Sequence, residues 1–327
     1  MDITTFCLEE EKELFEFYNK NASLAGYAEY PSFEKFHETW ILNKEFDFQG
    51  VFLAKEQGII RGVAGTLVQK MLLPGETAET SPGYLYLILV DKDYQNQGIG
   101  TELLNYVLQY QKEKHKKYLR FSHKCPIKFT WNLKENYMQH NKAPGVKADS
   151  KGYEFLLKHG FQPISMEVSY YLDLKKFEFS QEMKKLEKDL AEKGYTIGYF
   201  QREMHQGQEE MFTRLKDESY RKKFHDALEK NKNIFVALKD NKTICGIAGA
   251  LEVEPNGRGF FQGIAVDPNH GGKKLGNLLF FCLCRELRQK GADYMTLFVS
   301  EDNFARKIYE KAGFTKSQLW GILEKEL

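Results

Sequence analysis

The feature that most restricts what this chain can fold into is that it reads twice. Val51 to Ala54, a turn at Gln57-Gly58 and Ile59 to Val68 are echoed by Phe235-Val236-Ala237-Leu238, a turn at Asp240-Asn241 and Ile244 to Gly249. Gly62-Val63-Ala64-Gly65 is mirrored by Gly246-Ile247-Ala248-Gly249, and Tyr84 to Val90 by Phe260 to Val266. Val90-Asp91 recurs as Val266-Asp267, and His159-Gly160-Phe161 as Ala312-Gly313-Phe314. A repeat this long signals duplication of a whole domain rather than a solenoid. A chain of 327 residues suits two domains of roughly 150 residues each. The best boundary lies at Lys175 to Glu178, which gives domains 1–176 and 177–327.

Patterning predicts the elements of each half. In the first, Phe6 to Asn19 holds a strand and then a helix, and Ser32 to Leu42 is helical. Val51 to Ala54 and Ile59 to Val68 form a hairpin. A polar loop with Pro74, Gly75, Pro82 and Gly83 precedes the apolar run Tyr84 to Val90, which lacks a helical period and reads as a buried strand. Lys117 to Ser122 is a strand, and Gly152 to His159 is a helix stopped by Gly160. The run Lys112–Lys117 reads as a solvated helix end. Met166 to Leu174 is a strand. In the second half, Ser180 caps a helix through Lys193, Tyr195 to Phe200 is a strand, and Glu209 to Lys230 is helical. Phe260 to Val266 and Tyr294 to Val299 are strands, and Phe304 to Lys311 is a helix.

Charge and cysteines narrow the function. The formal net charge of +1 provides no general basic field for nucleic acid or anionic membrane. Cys7, Cys125, Cys245, Cys282 and Cys284 include no C-x-x-C pair and no His at metal spacing, so no metal is expected and free thiols in a reducing cytoplasm are the plain reading. Cys282 and Cys284 lie two apart on a helix, hence on different faces. No apolar run approaches membrane-spanning length, and Glu9-Glu10-Glu11 is unlike a signal core. A cytoplasmic protein is expected.

The chemistry concentrates after Tyr84–Val90. Asp91 to Tyr94 is turn-like, and Leu103, Leu104, Val107 and Leu108 then recur at helical spacing. Gly98 and Gly100 sit where the helix begins. Free N–H groups point out of a helix N-terminus and its dipole favours anions, while glycine lets a phosphate approach closely. Gln95-Asn96-Gln97-Gly98-Ile99-Gly100, after a strand and before a helix, resembles the Q/R-x-x-G-x-G/A acyl-CoA loop of the GNAT family, the Gcn5-related N-acetyltransferases. The resemblance covers most of the chain as a tandem pair. It implies an α/β (α+β) fold of two domains, each a mixed, mostly antiparallel sheet flanked by helices. It also implies acetyl-CoA as co-substrate and direct transfer of the acetyl group to an amine, with catalysis largely by positioning.

By that resemblance, Leu89 and Val90 at the strand end and Gln95 through Thr101 (Gln95, Asn96, Gln97, Gly98, Ile99, Gly100, Thr101) would hold CoA in the first half. In the second, the corresponding set is Ala265 and Val266, then Gly271, Gly272, Lys273, Lys274, Leu275, Gly276 and Asn277. That loop departs from the motif, with Gly271 at the Gln/Arg position and Lys274 at the central glycine, although His270, Lys273 and Lys274 could attract phosphate by charge. Asp302 to Phe314 resembles N-x-x-A-x-x-x-Y-x-x-x-G-F, with Asn303 one place nearer Ala305. The resemblance makes Tyr309 the candidate acid for the leaving thiolate and Asn303 a CoA contact. The first half has the loop but carries Leu156 at the place of Tyr309, with Tyr153 one turn earlier. Its 123–149 segment holds His123, His140 and Asp149 as candidate bases, and Gln262 could orient a water. The acceptor would be a small-molecule or peptide amine, and a homo-oligomer is compatible with the sequence. Two alternatives stay open: a non-catalytic acyl-CoA-binding or regulatory module, and one catalytic half supported by a structural one.

Overall fold

Strand β1 (Asp2–Thr5) pairs antiparallel with β2 (Val51–Glu56), which turns into β3 (Ile59–Val68). Gln57 and Gly58 make the turn with φ of 51° and 80°, the left-handed pair that matches strand twist in a short hairpin. Helices α1 (Glu11–Asn21) and α2 (Phe33–Thr39) lie between β1 and β2 in the chain, and the Ser32 hydroxyl accepts the Lys35 N–H at 3.2 Å to cap α2. This is a computed structural model; it describes residues 1–72, 76–133 and 138–327. Pro74 and Gly75 of the expected loop lie outside the described residues.

Strand β4 (Gly83–Val90) pairs antiparallel with β3, and after α3 (Ile99–Glu113) strand β5 (Tyr118–Phe121) runs parallel to β4. The β3–β4 register slips between Gly65 and Thr66, which face Leu87 and Leu85, so Tyr86 is an extra residue in β4. Such a bulge breaks the alternation of side chains. Tyr86 and Leu87 accordingly fall in one core cluster, with the aromatics of α1 and α2, while Leu85, Ile88 and Val90 pack with α3. Gly65 makes the bulge possible: a Cβ there would lie 2.3 Å from the Tyr86 ring.

Short strands β6 (Trp131–Asn132), β7 (Gln139–His140) and β8 (Val146–Lys147) occupy the segment after β5. Helix α4 (Lys151–Lys158) follows, capped by the Ser150 hydroxyl on Tyr153 N at 3.1 Å, and then β9 (Gln162–Asp173). The expected solvated helix end at 112–117 is exposed except at Lys116. Lys116 is buried and donates to the Ala78 and Ser81 carbonyls at 2.8 and 3.0 Å, because carbonyls in the preceding loop replace its water.

The repeat continues with α5 (Gln181–Ala191), β10 (Tyr195–Tyr199), α6 (Gln208–Leu215), α7 (Glu218–Glu229), β11 (Ile234–Lys239), β12 (Thr243–Val253), β13 (Arg258–Phe261) and β14 (Ala265–Val266). Helix α8 (Leu275–Gln289), β15 (Tyr294–Ser300), α9 (Arg306–Lys311) and β16 (Thr315–Glu326) complete it. Strands β10, β11 and β12 are antiparallel, and β13 and β15 are parallel. Three expectations shift. The helix expected over 209–230 is two, because Lys216 takes a left-handed φ of 55° and ends α6. The strand expected over 260–266 is interrupted at 262–264, where Gly263 has φ 123°. Helix α9 begins only at Arg306, leaving Phe304 83% exposed.

The chain divides into two compact units: residues 1–169 with 298–302 and 317–327, and residues 170–297 with 303–316. The division falls inside β9, seven residues before the expected boundary at 176, and the last strand belongs with the first unit. There, β16 pairs antiparallel with β5 (Leu323 with Phe121) and with β8 (Trp320 with Lys147). Trp320 is 1% exposed and donates to the Ser169 hydroxyl at 2.8 Å. A fragment ending at 176 therefore lacks part of its own sheet. Truncation after Lys316 should abolish or sharply lower cooperative melting of the first unit, and Trp320→Ala should cost about 3–5 kcal/mol. Unchanged melting of both variants would show that β16 is dispensable.

Candidate active site

In the first unit the parallel contact between β4 and β5 is short. The register pairs Gly83 with Leu119 and Tyr84 with Arg120, and β4 then runs on to Val90 alongside a cleft of about 870 Å³. Leu89, Val90, Gln95 and Asn96 line this cleft with Gly98, Gly100 and Thr101, and α4 contributes Phe155 and His159. One continuous hollow thus collects most of the predicted first-half residues. Two do not reach it: Gln97 turns back to donate to the Asp93 carbonyl at 3.2 Å, and Ile99 is 4% exposed in the core with α3.

The loop is built from its backbone. Asp91, 3% exposed, accepts from the Asp93 amide at 3.2 Å and from Lys20 Nζ at 2.8 Å. Gln95 Nε2 donates to the Val90 carbonyl at 3.3 Å, so this side chain ties the loop to the strand end. Gly98 caps α3 at φ 86°, and a Cβ there would meet nothing within 4 Å. The left-handed backbone is what asks for glycine here, and space is left open in front of it. The first turn of α3 closes with Glu102 N to Gly98 O at 3.0 Å, so the amides of Ile99, Gly100 and Thr101 precede the helical bonding. The Thr101 hydroxyl lies 3.1 Å from His159 Nε2, and His159 Nδ1 lies 2.8 Å from the Phe155 carbonyl. Donors at a helix start beside an open cleft fit a pyrophosphate.

The second unit repeats the frame with different contents. Asp267, 1% exposed, caps Asn269 N at 2.9 Å and receives Arg214 Nε at 3.0 Å and Nη2 at 2.5 Å. Lys274 occupies the place of Gly98 at φ 59°, a conformation that costs a non-glycine residue roughly 1–2 kcal/mol. The amides of Leu275, Gly276 and Asn277 precede the first helical bond, from Leu278 N to Lys274 O at 3.2 Å. The Gly271 amide is already used on the Pro268 carbonyl at 3.1 Å. Gly272 has φ 73° with nothing within 4 Å of a Cβ, and Lys273 is exposed. Ala265 and Val266 pair with β12. Burial pushes the His270 imidazole below its ordinary value, against the pull of Asp267, and Nδ1 meets the Tyr195 hydroxyl at 2.9 Å. His270 is thus neutral at pH 7, and any phosphate attraction by charge falls to Lys273 and Lys274. The Asn303 side chain accepts from Ala305 N at 2.8 Å, which occupies the predicted CoA contact in shaping the start of α9.

Tyr309 lies 7% exposed, its ring packed on Phe280 at 4.9 Å, with Phe314 and Tyr170 each at 6.1 Å. Among the described residues its hydroxyl has no hydrogen-bond partner. Burial, helped by Tyr220 and Tyr170, pushes the phenol up to about 12, so it keeps its proton. Tyr220 itself donates to the Ile264 carbonyl at 2.9 Å, in the interrupted stretch of the central strand. In the first unit Leu156 is fully buried, and among the described residues the Tyr153 hydroxyl reaches only Met166 Sδ at 3.9 Å. Of the candidate bases, His140 is buried and stacked on Trp131, while Asp149 sits at the cleft with the Gln318 amide 3.2 Å away. Gln262, just past the end of β13, uses its Oε1 to accept from Ala250 N at 3.3 Å. Sequence reasoning missed Lys20, Arg214, Tyr220, Phe155 and His159. Lys20, Arg214 and Tyr220 come from elements remote from the motifs, where only the acid at each strand end hinted that a cation was needed, while Phe155 and His159 flank Leu156 on the helix before Gly160 and carry no motif of their own. No group of three His, Cys, Asp or Glu side chains among the described residues is placed to hold a metal ion.

Comparison with known proteins agrees with this architecture. The profile of the acetyltransferase (GNAT) family matches residues 11–124 and again 200–314. The chain belongs to the GNAT acetyltransferase family and carries its domain twice. No curated protein sequence matches it. Among solved structures, a GCN5-related glucosamine N-acetyltransferase region of a fungal multi-domain GH3 β-N-acetylglucosaminidase is similar, with a TM-score of 0.70 at 14% identity. That match covers 99% of this chain but only 38% of the other. The GCN5-related N-acetyltransferase from Sphaerobacter thermophilus gives 0.60 at 12% identity, covering 99% of this chain and 95% of that one. A tandem GNAT protein from the clavulanic acid biosynthesis pathway gives 0.59 at 13%, covering 99% and 98%. At such identities these likenesses speak for the fold alone.

The strand-end aspartates make a testable point. Burial raises the Asp267 carboxyl, but Arg214 and the Asn269 amide outweigh it and hold it below its usual value. Stabilisation by such a group is present above the unfolded value, near ~4, and is lost as pH falls through the folded one. Arg214 is partly exposed, which screens the pair. Asp267→Asn should therefore cost about 1–3 kcal/mol at pH 7, and the difference from wild type should shrink below pH ~4. Equal losses at pH 7 and pH 3 in denaturant titrations would contradict the ion pair.

Proposed function

We propose that the protein is an acetyl-CoA-dependent N-acetyltransferase that passes the acetyl group directly to an amine, and that the first unit holds the acetyl-CoA. The observation that carries this is the conjunction of the Gln95–Gly100 loop, its unpaired helix-start amides and the 870 Å³ cleft they border. The amides of Gly98 to Thr101 would receive the pyrophosphate, and the free edge of β4 from Leu87 to Val90 would pair with the pantetheine arm. The splayed strands then hold the thioester where an amine can attack it, which lowers the entropic part of the barrier. Five free thiols accord with a reducing cytoplasm, and no helix among the described residues is long and apolar enough to cross a membrane.

A second reading places the chemistry in the other unit, and Tyr309 supports it. A protonated, buried phenol with no hydrogen-bond partner among the described residues is suited to protonating a leaving thiolate, whose ordinary pKa is near ~8.5.

Two variants separate the readings. Gly98→Asp adds a charge in front of the helix-start amides without a clash, so acetyl-CoA affinity should fall by about one to two orders of magnitude, each order being ~1.4 kcal/mol. Unchanged affinity by calorimetry removes the first unit from the proposal. Tyr309→Phe keeps the ring and breaks no hydrogen bond, so stability should hold within about 0.5 kcal/mol. If the second unit catalyses, turnover drops by at least about tenfold while acetyl-CoA affinity stays constant. Wild-type turnover assigns catalysis elsewhere.

A further inference from the structure

At the loop end of the first cleft a threonine and a histidine share one hydrogen bond. Thr101 stands in the first turn of α3, and its hydroxyl lies 3.1 Å from His159 Nε2. Both residues line the cleft with Gly98, Gly100 and Phe155. Among the described residues, His159 is the only hydrogen-bond partner of the Thr101 hydroxyl. The other ring nitrogen is fixed by its neighbour. His159 Nδ1 lies 2.8 Å from the Phe155 carbonyl, and a carbonyl oxygen only accepts. Nδ1 therefore carries a hydrogen in either charge state. The ring is held in place as well. It lies against the Phe155 ring, with centroids 4.2 Å apart. Phe155 in turn packs on the core cluster of α3, and a Cβ on Gly100 would come within 3.4 Å of it.

Nε2 is then the atom whose role changes with charge. On a neutral ring with its hydrogen on Nδ1, Nε2 accepts. Thr101 must donate its hydroxyl hydrogen to it and turns oxygen lone pairs toward the cleft, where they repel a phosphate oxygen. On a protonated ring Nε2 donates. Thr101 accepts from it, and its own hydrogen is free to reach a phosphate oxygen beside the amides of Ile99, Gly100 and Thr101. Hydrogen bonds to an ionised partner are roughly twice as strong as neutral ones. A diphosphate thus favours the protonated ring by its charge and by the direction in which Thr101 points. The other charged groups of this cleft are Lys147, Asp149, Lys151, Glu154 and Lys158. Lys147 and Asp149 pair with each other at 3.5 Å. Lys325 Nζ of β16 would lie 2.8 Å from a Cβ on Gly160, and Glu102 of α3 is exposed. Among the described residues no carboxylate is hydrogen-bonded to the His159 ring, so the anion that would hold it charged is the ligand's.

We propose that His159 is a positioning residue for the diphosphate of acetyl-CoA: the ligand binds with uptake of a proton onto His159 Nε2, which turns the Thr101 hydroxyl toward the diphosphate. The inference rests on the first unit holding acetyl-CoA. The proton comes from solvent and returns to it when CoA leaves, and no covalent bond is made or broken. Because binding consumes a proton, affinity has its full value at low pH. It weakens as pH rises across the range where imidazoles titrate, near ~6.5. A thioester carrier without a diphosphate gains nothing from the pair, so His159 also selects acetyl-CoA over shorter carriers on the acid side of that range.

The test is calorimetric binding to the full chain, which needs no acceptor amine. Its probes are 3′-dephospho-acetyl-CoA and S-acetylpantetheine. The first keeps the diphosphate but lacks the 3′-phosphate, a monoester that itself titrates near ~6. Its affinity should fall about tenfold between about pH 5.5 and about pH 8.5. In buffers of different ionisation enthalpy its binding near pH ~7 should take up a measurable fraction of one proton. S-acetylpantetheine should show neither effect. His159→Gln keeps a polar group that does not titrate, and His159→Phe keeps a ring on Phe155. Both should bind the dephospho ligand with a flat pH profile and no proton uptake. Thr101→Val should weaken binding about fivefold at the acid end and little at the alkaline end. A histidine that only packs against Phe155 gives no proton uptake in the wild type, and that result overturns the proposal. So does uptake that persists in His159→Gln or His159→Phe, or a Thr101→Val loss equal at both ends. The wild-type measurement and Thr101→Val decide the matter even where a His159 variant folds poorly. If Gly98→Asp leaves acetyl-CoA binding untouched, the placement of acetyl-CoA in the first unit has failed. If Gly98→Asp weakens binding and the wild type takes up no proton, that placement stands and the role of His159 alone falls.

Discussion

The rest of the first unit depends on how briefly its two parallel strands stay together. Strands β4 and β5 pair at two residue positions and then part. A parted pair of strands would ordinarily expose unsatisfied backbone to a dry core, so it persists only where something else borders the gap. Here one side is the cleft under the loop and α3, and the other is the aromatic cluster around Tyr86. The bulge at Tyr86 re-aims the side chains at the point of divergence, and Gly65 beneath it supplies the room. In the second unit Gly249, with φ 71°, stands beneath Gln262, where a Cβ would come within 2.6 Å of that side chain. The glycine-containing motif that recurs in β3 and β12 is thus a packing requirement of the central strand, met in both halves.

The two units keep the same frame and divide its contents. Each ends its central strand on a buried aspartate that caps the next turn and binds a cation, Lys20 in one and Arg214 in the other. Each then starts a helix from a left-handed residue. Gly98 meets that demand without strain and leaves open space, whereas Lys274 accepts the strain and carries a charge. The second unit in turn keeps the phenol at Tyr309 that the first replaces with Leu156. The candidate acyl-CoA loop and the candidate acid therefore sit in different units.

Much of the architecture was legible in the sequence because its determinants are local. The duplicated hairpin at Gln57-Gly58, the strand–loop–helix order around Gly98 and the Gly160 and Gly313 helix stops all follow from turn chemistry and apolar period. What escaped was non-local. The bulge at Tyr86 is invisible in an unbroken apolar run, and so is the interruption after Phe261, because register belongs to the neighbouring strand. The two halves of the 209–230 helix share one amphipathic pattern, which hid the left-handed Lys216. That the last strand pairs with β5 and β8 could not be read from β16 alone. In the site, the loop residues lining the cleft were found by motif. His123 stood out only as one polar residue in a long insertion, and the three lysines around it are brought there by the fold.

Amide hydrogen exchange with and without acetyl-CoA tests the central claim most directly, since it reports on the two helix starts separately in one intact chain. If the first unit holds the co-substrate, the amides of Gly98 to Thr101 should exchange markedly more slowly with acetyl-CoA present. The corresponding amides from Leu275 to Asn277 should change less. Protection confined to Leu275–Asn277, or absent from both while acetyl-CoA is bound, would contradict the account.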